Sequence, residues 1–427
     1  MIKANDIRRK SWIKYDQKSD FPIQNIPFGV FKLINNTEND FQIHIGTRIG
    51  DTVISLSEIE KHHYFNDLLL KDYTFHKSEN LNKFLKQNKK TWRNVRDRIA
   101  ELFDVSNTQF QKDIKLKQID CLFSISEVQP IMPIKIGDYT DFYSSKDHAM
   151  NVGKMFRDPK NALLPNWLHI PVGYHGRSSS IVISGTTIKR PKGQILPKNT
   201  DLPIFSKSKL LDFELEMAFV TGEGKKLGES ISTDEAEDYI FGLCLFNDWS
   251  ARDIQKYEYV PLGPFLGKSF ASSISPWIVT LDAFEAFRVK GETQNPVVSD
   301  YLQFSGNRNY NIQLDVFIES KNTMTKITSS NFKYMYWNMC QQLAHHTING
   351  CNIKAGDLMA SGTISGPKEY EFGSMLELSW GGTKEIILDN SEVRKFLMNN
   401  DKVIMKGFAE NKEIRIGFGE LKNKIID

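Results

Sequence analysis

From about residue 132 onward, the sequence consists largely of short runs rich in Val, Ile, Phe and Thr, separated by Gly and Pro. The runs are SSSIVISGTTIKR, LDFELEMAFVTG, YIFGLCLFND, SPWIVTLD, YNIQLDVFIES, DLMASGTISG and MLELSWGGTKEIIL. Runs of this length, spaced by turn residues, are typical of strands in β-sandwiches, rolls and barrels. Helical stretches are expected to interrupt them, notably at 249–257 and 331–349. The pattern therefore predicts a mostly β fold with some α-helix.

The chain of 427 residues exceeds what one hydrophobic core usually holds, so two domains of unequal size are expected. A helix is predicted to follow Ser78 and to end near Asp104, because apolar residues recur there with helical periodicity. These residues are Leu81, Phe84, Leu85, Trp92, Val95, Ile99, Leu102 and Phe103. A polar stretch follows the helix, and the composition changes close to residue 132. We therefore predict domains at 1–132 and 133–427.

The opposite face of this helix is basic, with Lys83, Lys86, Lys89, Lys90, Arg93 and Arg96. Such a stripe could contact nucleic acid, but the whole chain has 55 basic and 52 acidic side chains and a net charge of only +3. A nearly neutral protein has no strong field to attract nucleic acid or an anionic membrane. The stripe is therefore interpreted as a solvated helix face, and neither kind of partner is expected.

The sequence also favours a cytoplasmic protein. Its first twenty residues mix charges and lack an apolar core, which is unlike a secretory signal. The longest apolar run, at 239–246, is far shorter than the roughly 20 residues of a membrane helix. Four cysteines lack C-x-x-C pairing, which indicates reduced, buried thiols rather than a zinc site or disulfides. They are Cys121, Cys244, Cys340 and Cys351.

One strand-like segment, at 212–219, has strict alternation of apolar and acidic side chains. One face carries Phe213, Leu215, Met217 and Phe219, and the other carries Asp212, Glu214 and Glu216. The acidic face could simply be solvated, although like charges at adjacent positions on one face repel each other. A cation bound to the carboxylates would remove that repulsion. All-oxygen ligation favours Ca²⁺, Mg²⁺ or Mn²⁺ over zinc.

A further acid, Asp248, ends the apolar run before a predicted helix. One interpretation is that Asp248 is a functional carboxylate. The other is that the N-cap of that helix is Asp248 or Ser250.

Acidic, aromatic and imidazole groups also crowd into the segment 138–148. If this segment is helical, Asp141 and His148 lie two turns apart on one face, which makes His148 a candidate base.

Another predicted strand, at 375–380, places Glu377 among apolar neighbours. A buried glutamate needs a metal, an arginine or a histidine as its partner. The glycines of the nearby segment 362–367 indicate close approach of the backbone to a ligand, although no phosphate-loop pattern is present. The adjacent histidines His345 and His346 are interpreted as structural rather than zinc-binding.

Together, eight segments in the same order resemble the fumarylacetoacetase family. They are FPIQNIPFGVF (21–31), DYTDFYSS (138–145), NALLPNW (161–167), PVGYHGR (171–177), FELEM (213–217), NDWSARDIQ (247–255), ASGTISGP (360–367) and FGSMLELSW (372–380). The resemblance implies a homodimer in which each chain has a small N-terminal SH3-like β-barrel domain and a larger C-terminal β-roll or sandwich. It also implies hydrolysis of a carbon–carbon bond of 4-fumarylacetoacetate to fumarate and acetoacetate, the last step of tyrosine and phenylalanine catabolism.

The resemblance further implies roles for individual residues. The expected Ca²⁺ ligands are Asp141, Glu214, Glu216 and Asp248. His148 matches the general base, Glu377 the carboxylate that orients it, and Arg252, Gln255 and Lys268 the groups that stabilise the departing carbanion. Substrate contacts are expected from Tyr143, Arg157, Gln255, Tyr259 and Thr363, with Tyr174 as a further candidate.

One departure from the family pattern concerns a second, structural Mg²⁺ site. The family reads Lys-x-Phe-Gly-Thr where this chain reads Lys268-Ser-Phe-Ala271-Ser272. Ser272 keeps a hydroxyl that could serve as a ligand beside Asp248 and the Lys268 carbonyl. Ala271 would be strained if this position required a positive φ angle, which glycine adopts without cost.

Two rival hypotheses remain open at this point. The first is another metal-dependent member of the superfamily, such as an acylpyruvate hydrolase or a keto-acid decarboxylase, hydratase or isomerase; these commonly lack an N-terminal domain. The second is a non-enzymatic β-sandwich that uses Ca²⁺ to hold a carbohydrate, which would need no general base.

Overall fold

The computed structural model describes residues 2–34, 42–68, 70–116 and 118–427. Most regular structure in these ranges is β-strand, which confirms the predicted mostly β fold. Three sheets matter for the site: a five-stranded sheet near the N-terminus, an eight-stranded central sheet, and a second five-stranded sheet that includes the C-terminal strands.

The N-terminal region folds around an antiparallel sheet in the order β4-β3-β2-β1-β5. Its strands are β1 (Gly29–Leu33), β2 (Ile43–Ile49), β3 (Thr52–Ser55), β4 (Leu122–Ser124) and β5 (Val128–Ile131). Its helices are α1 (Leu56–Lys61), α2 (Asn82–Leu85), α3 (Lys89–Leu102) and α4 (Thr108–Lys115). All four helices lie between β3 and β4 in the chain, and the core that they form continues into the central sheet.

The prediction of one continuous helix after Ser78 is wrong, because two helices, α2 and α3, occupy that stretch. Asn88 has an extended backbone, and its side chain accepts a hydrogen bond from Thr91 N at 3.0 Å. An asparagine in this geometry caps a new helix rather than continuing the previous one.

The prediction of a solvated basic face on this helix is wrong for Arg96, which is fully buried. Its guanidinium donates to the backbone carbonyls of Gln24 and Asn25. Arg93 also has a partner, because it donates to the carboxylate of Asp282 at 2.6 and 2.8 Å. Arg93 and Arg96 therefore hold α3 to neighbouring segments, whereas Lys83, Lys86 and Lys90 are exposed, as predicted.

The strands after residue 132 form the other two main sheets and several two-stranded ribbons. They are β6 (Tyr139–Phe142), β7 (Gly173–His175), β8 (Ile181–Ile183), β9 (Ile188–Lys189), β10 (Lys192–Ile195), β11 (Ile204–Lys207), β12 (Leu211–Asp212), β13 (Leu215–Thr221), β14 (Ile240–Asp248), β15 (Ser250–Ala251), β16 (Ser272–Ile274), β17 (Val279–Thr280), β18 (Arg288–Val289), β19 (Asn309–Tyr310), β20 (Gln313–Ser320), β21 (Thr323–Asn331), β22 (Leu358–Ala360), β23 (Ile386–Ile387), β24 (Val393–Arg394), β25 (Lys402–Glu410) and β26 (Arg415–Ile426). The central sheet runs β7-β6-β22-β13-β14-β16-β8, with β17 paired to β14, and the second sheet runs β21-β20-β25-β26-β9.

The helices of this region are α5 (Lys146–Phe156), α6 (Arg252–Glu258), α7 (Leu266–Ser269), α8 (Met339–Thr347) and α9 (Met375–Leu378). The predicted helix at 249–257 begins only at α6, since β14 and β15 extend through Ala251. The predicted helix at 331–349 likewise begins later, at α8, where Asn338 caps it. The strand predicted at 375–380 is wrong: Ser374 caps the short helix α9 there, by accepting a hydrogen bond from Glu377 N.

Strand β13 is buried on both faces, which rules out a solvated acidic face. Leu215, Met217 and Phe219 pack into a core shared with the strands of the second sheet, whereas Ala218 and Val220 pack against the N-terminal domain. The acids at the start of this strand therefore point into the protein, between the central sheet and its neighbours.

Within the described ranges, no helix is long and apolar enough to cross a membrane. All four cysteines are free thiols; three are buried and Cys351 is partly buried.

Candidate active site

Three buried carboxylates from different strands meet in the central sheet. Asp141 lies on β6, Glu216 on β13 and Asp248 at the end of β14, and one oxygen of each lies within 4.8 Å of the others. The strand order brings them together, because only β22 separates β6 from β13, and β13 pairs directly with β14. Residues far apart in sequence thus form one acidic cluster.

The three buried carboxylates of the cluster repel one another. Burial, and then the charge of Asp248, raises the pKa of Asp141 well above its ordinary value. Burial together with the charges of Asp141 and Glu214 does the same to the pKa of Glu216. Oδ1 of Asp141 and Oε1 of Glu216 are buried and have no hydrogen-bond partner among the described residues. An all-oxygen, negatively charged cluster with unsatisfied acceptors fits a hard divalent cation, and it lacks the nitrogen and sulfur ligands that zinc prefers.

Two tyrosines orient the outer members of this cluster. Tyr139 donates from its hydroxyl to Oδ2 of Asp141 at 2.5 Å, and Tyr174 donates to Oδ2 of Asp248 at 2.7 Å. Each bond engages one carboxylate oxygen and fixes the direction of the other. Such partners commonly orient the ligands of a metal ion.

The third member, Glu216, is oriented by the backbone. Gly362 N donates to Oε2 of Glu216 at 3.0 Å. Gly362 has a φ angle of +78°, and a Cβ at this position would lie 2.2 Å from the carbonyl oxygen of Phe142. Only glycine fits here, and the constraint comes from the backbone of Phe142.

Glu214 does not join the three-carboxylate cluster; cationic side chains surround it instead. Nζ of Lys268 donates to Oε2 of Glu214 and also to Oδ2 of Asp248. Nη1 of Arg252 lies 2.8 Å from Oε1 of Glu214. Burial alone would raise the pKa of Glu214, but Lys268 and Arg252 hold it well below its ordinary value. Glu214 therefore links the acidic cluster to two cations.

A histidine–glutamate pair is buried in the same region. Nδ1 of His148 lies 2.7 Å from Oε2 of Glu377. Three further donors hold this carboxylate: Asn151 Nδ2 at 2.9 Å, Ser365 Oγ at 2.9 Å and Ser374 Oγ at 2.8 Å. A glutamate with four donors has a fixed orientation and in turn fixes the imidazole ring.

The prediction that Asp141 and His148 share one helix is wrong. Asp141 belongs to strand β6, and Ser145 begins α5 by accepting a hydrogen bond from His148 N at 3.3 Å. His148 is thus in the first turn of a helix, on a different element from the carboxylate cluster.

The free energy of unfolding provides a test of whether Glu377 is the ionised partner of His148. Burial would raise its pKa, but His148, Asn151 and Ser365 lower it below the ordinary value of 4.5. The stabilisation from its ionised form is therefore fully present above that value and is lost as the pH falls through the lower pKa of the folded state. At pH 6 we expect Glu377→Gln to lower the free energy of unfolding by about 1–3 kcal/mol. Denaturant titrations at pH 6 and pH 3 should show this difference shrinking in acid, and an unchanged difference would contradict the assignment.

The expected substrate contacts surround the same space to differing degrees. The ring of Tyr143 packs edge-on against His148, with centroids 5.2 Å apart. Oγ1 of Thr363 is buried without a partner among the described residues. Arg157 donates to the carbonyl of Ala162 at 2.7 Å.

Gln255 and Tyr259 follow Arg252 on α6. Gln255 Oε1 lies 3.4 Å from Nη1 of Arg252, and Tyr259 is half exposed at the end of the helix. The hydroxyl of Tyr174, the further candidate, donates a hydrogen bond to Asp248.

The segment expected to form a second metal site lies beside Asp248. Ser272 Oγ donates to Oδ1 of Asp248 at 3.1 Å, and the two residues are paired on β16 and β14. Ala271 does not have a positive φ angle, so alanine is not strained at this position. The N-cap interpretation of Asp248 and Ser250 is wrong, because Ala251 precedes α6.

The paired histidines point to different neighbours. His345 contacts the hydroxyl of Tyr301, and His346 contacts Oγ1 of Thr140, each at 3.0 Å. Neither histidine belongs to the acidic cluster, and no zinc-type group of ligands is found in the described part of the chain.

Sequence reasoning missed several residues that hold the site together. They are Tyr139, Asn151, Asp212, Ser365 and Ser374. Asp212 carried a signal, since it shares the acidic face of the 212–219 segment. The others are polar residues at ordinary positions, and only the folded arrangement of distant segments reveals their contacts.

Two family models cover nearly the whole chain. The model described as Fumarylacetoacetase N-terminal matches residues 24–133, and the one described as Fumarylacetoacetate (FAA) hydrolase C-terminal matches residues 138–426. The chain is 52% identical over 423 residues to a fumarylacetoacetase of Dictyostelium discoideum, covering 98% of each chain. It is 50% identical over 420 residues to a fumarylacetoacetase of Homo sapiens, covering 97% of this chain and 98% of the relative.

Solved structures share the fold at low sequence identity. A fumarylacetoacetate hydrolase from the psychrophilic Exiguobacterium antarcticum aligns with a TM-score of 0.51 at 17% identity, over 94% of this chain and 99% of that chain. The structure of Cg1458 with inhibitor aligns with a TM-score of 0.53 at 14% identity, over the same shares of the two chains. These likenesses support the fold alone.

Proposed function

The chain belongs to the fumarylacetoacetase family. From this premise we propose that it hydrolyses a carbon–carbon bond of 4-fumarylacetoacetate, giving fumarate and acetoacetate in tyrosine and phenylalanine catabolism. It is a hydrolase, so the carbohydrate-binding hypothesis is wrong. The observation that carries the mechanism is the buried His148–Glu377 pair in the same site as Arg252 and Lys268. Cleavage of a carbon–carbon bond by water needs both a base and groups that accept the released charge.

His148 acts as the general base. Glu377 holds Nδ1, which leaves Nε2 as the ring atom that accepts a proton from water. The carboxylate also stabilises the imidazolium that forms, because the two charges are adjacent and buried. The other donors to Glu377 prevent it from turning away during this step.

Arg252 and Lys268, with Gln255 next to Arg252, stabilise the carbanion of the departing acetoacetate. Burial opposes their charge, but Asp212 and Glu214 raise the pKa of Arg252, and Asp248 and Glu214 raise that of Lys268, so both remain cationic. Nη2 of Arg252 is buried and has no partner among the described residues. It is thus a preorganised donor of the kind that contributes about 3–4 kcal/mol when aimed at developing charge.

We propose Ca²⁺ as the ion of the acidic cluster, held by Asp141, Glu216 and Asp248 with Glu214 as the fourth ligand. The support is the unsatisfied oxygens of Asp141 and Glu216 and the repulsion between these buried charges. Glu214 would join through Oε2, which accepts a hydrogen bond from Lys268 in this structure. When bound, a divalent ion polarises the diketo oxygens of the substrate and fixes its chelating geometry.

A Mg²⁺ site is proposed next to it, with Asp248, the carbonyl of Lys268 and the hydroxyl of Ser272 as ligands. The support is the contact between Ser272 and Asp248 and the unstrained backbone of Ala271.

Substrate contacts are proposed for Tyr143, Arg157, Gln255, Tyr259 and Thr363. The edge contact of Tyr143 with His148 and the unpartnered hydroxyl of Thr363 are the strongest support. Thr363 directly follows Gly362, whose amide donates to Glu216 of the cluster. Tyr174 orients Asp248 and is not assigned a direct contact.

We also propose a homodimer in the cytoplasm. Leu202, Phe205, Leu262 and Phe265 are 76%, 74%, 97% and 69% exposed. They lie on neighbouring segments, because Gly193 of β10 packs against Ile254 of α6. Large apolar side chains that are this exposed are often covered by another protein surface. The free thiols support a reducing compartment.

Sedimentation should give twice the 49.1 kDa mass of one chain, and a monomer at micromolar concentration would contradict the dimer.

The test of the function is a spectrophotometric assay. Loss of the ultraviolet absorbance of fumarylacetoacetate is followed with purified protein, in parallel with a panel of acylpyruvates. We expect kcat/KM for fumarylacetoacetate to exceed that for every acylpyruvate. A higher value for an acylpyruvate would favour the superfamily alternative, and elemental analysis of the same sample identifies the bound ions.

A further inference from the structure

The carboxylate of Asp212 is fully buried and lies outside the proposed catalytic and metal-binding groups. It ends the short strand β12, where it is paired with Ser250 of β15. This pairing places it beside the start of α6, the helix that begins with Arg252. A buried charge is costly unless its oxygens are hydrogen-bonded, so its partners indicate its role.

Its partners belong to two parts of the catalytic machinery. Oδ2 accepts a hydrogen bond from Nε of Arg252 at 2.8 Å and another from Leu376 N at 3.0 Å. Oδ1 accepts from Met375 N at 2.7 Å. One carboxylate therefore joins a guanidinium on α6 to the first two backbone amides of α9.

On the first side, the contact fixes the orientation of Arg252. Asp212 holds Nε, and Glu214 lies 2.8 Å from Nη1. Because a guanidinium is planar and rigid, fixing two of its nitrogens determines where the third points. The third is Nη2, the unpartnered donor.

On the second side, the contact fixes the helix that carries Glu377. Glu377 directly follows Leu376, whose amide is bound to Asp212. A displacement of this turn would move the carboxylate relative to Nδ1 of His148, at present 2.7 Å away. Misplacement of a catalytic group by about 1 Å can lower a rate by about 100-fold.

We propose that Asp212 is a positioning residue that couples the donor for the departing carbanion, Arg252, to the carboxylate that orients the base, Glu377. The inference rests on the proposed function and adds to it a physical link between the group that stabilises the carbanion and the group that orients the base. Asp212 does not touch the substrate; it acts through these two residues.

The test is Asp212→Asn, which keeps the shape of the side chain but removes its charge and presents an N–H₂ group to one of three donors. We expect kcat for fumarylacetoacetate to fall by about 100-fold, with KM changed by less than about 3-fold. The content of bound divalent ions should equal that of the wild type.

The matched control is Asp253→Asn. Asp253 is a buried carboxylate adjacent to Arg252, but it accepts hydrogen bonds from Ser208 Oγ and Lys209 N rather than from the catalytic machinery. We expect its kcat to stay within about 3-fold of the wild type.

A triple variant separates positioning from a general structural role. If Asp212 acts through Arg252 and Glu377, its substitution should cost much less than 100-fold in a chain that already carries Arg252→Ala and Glu377→Gln. A full multiplicative loss in that background, or a wild-type kcat in a folded Asp212→Asn enzyme, would overturn the proposal.

Folding is checked by circular dichroism and thermal unfolding. If Asp212→Asn does not fold, the smaller Asp212→Ser variant is measured by the same criteria, because it also removes the charge and adds no volume. A wild-type enzyme inactive on fumarylacetoacetate would overturn the proposed function and this inference with it. An active wild type with an unaffected Asp212 variant overturns the positioning role alone.

Discussion

Replacing His148 with alanine is expected to lower kcat for fumarylacetoacetate by about 10⁴-fold, with the fold and the bound metal retained. The physical reason is that His148 is buried and paired with Glu377, and the mechanism assigns no other described side chain as the base. General-base catalysis by a positioned side chain typically contributes about 10²- to 10⁴-fold, and the upper end applies where the base is oriented by a carboxylate. The measurement is the absorbance assay on purified protein, with elemental analysis of the same sample.

Glu377→Gln should give a loss of similar size. The amide keeps the shape of the carboxylate but cannot stabilise an imidazolium by charge. Because Asn151, Ser365 and Ser374 still surround this position, the variant should remain folded at neutral pH. Near-normal rates in either variant would remove that residue from the mechanism.

The control for both is His345→Ala. His345 is partly buried and contacts the hydroxyl of Tyr301, away from the acidic cluster and from Glu377. Its replacement should leave kcat within about 3-fold of the wild type. A loss comparable to that of His148→Ala would show that any histidine deletion disturbs the enzyme, and it would invalidate the comparison.

The part of the fold that could be predicted from sequence is the part encoded by local periodicity. The alternation at 212–219 follows from the two-residue repeat of a strand, and Leu215, Met217 and Phe219 do share one core. The sequence left open whether the acidic face was solvated or bound a cation, and the structure shows that Glu216 is fully buried. Local patterns are informative here because each depends on only a few neighbouring side chains.

The remaining features depend on contacts between distant segments. Glu377 lies in a run that reads as a strand, but the serine cap at 374 and the backbone contacts of Asp212 turn it into a helix. Arg96 looked like a surface residue because nothing in its own helix shows that the carbonyls at 24 and 25 meet it. Similarly, the pairing of Glu214 with Lys268 joins residues 54 positions apart. No periodic pattern encodes such partners.

Replacing Glu216 with glutamine is expected to have opposite effects on the metal-bound and metal-free forms. Glu216 is fully buried, and its pKa is raised well above the ordinary value by burial and by neighbouring carboxylates. Two opposite unit charges 4 Å apart attract each other by about 4 kcal/mol at an effective dielectric constant of 20, and a divalent ion is attracted more strongly. Losing this proposed ligand should therefore weaken the binding of added Ca²⁺ by about 1000-fold or more. Isothermal titration calorimetry on chelator-treated protein measures the change in affinity.

Without metal, the same substitution should stabilise the protein. The amide oxygen still accepts the hydrogen bond from Gly362 N, and the new N–H₂ group can donate to Asp141, so a repulsion is replaced by an attraction. The melting temperature of chelator-treated Glu216→Gln should exceed that of chelator-treated wild type, by about 2–4 °C for each kcal/mol relieved. Glu237→Gln is the matched control, because Arg288 and Arg308 already compensate that buried charge and its neutralisation should lower the melting temperature with or without metal. If Glu216→Gln were destabilising in both forms, the cluster would be a structural network rather than a cation site.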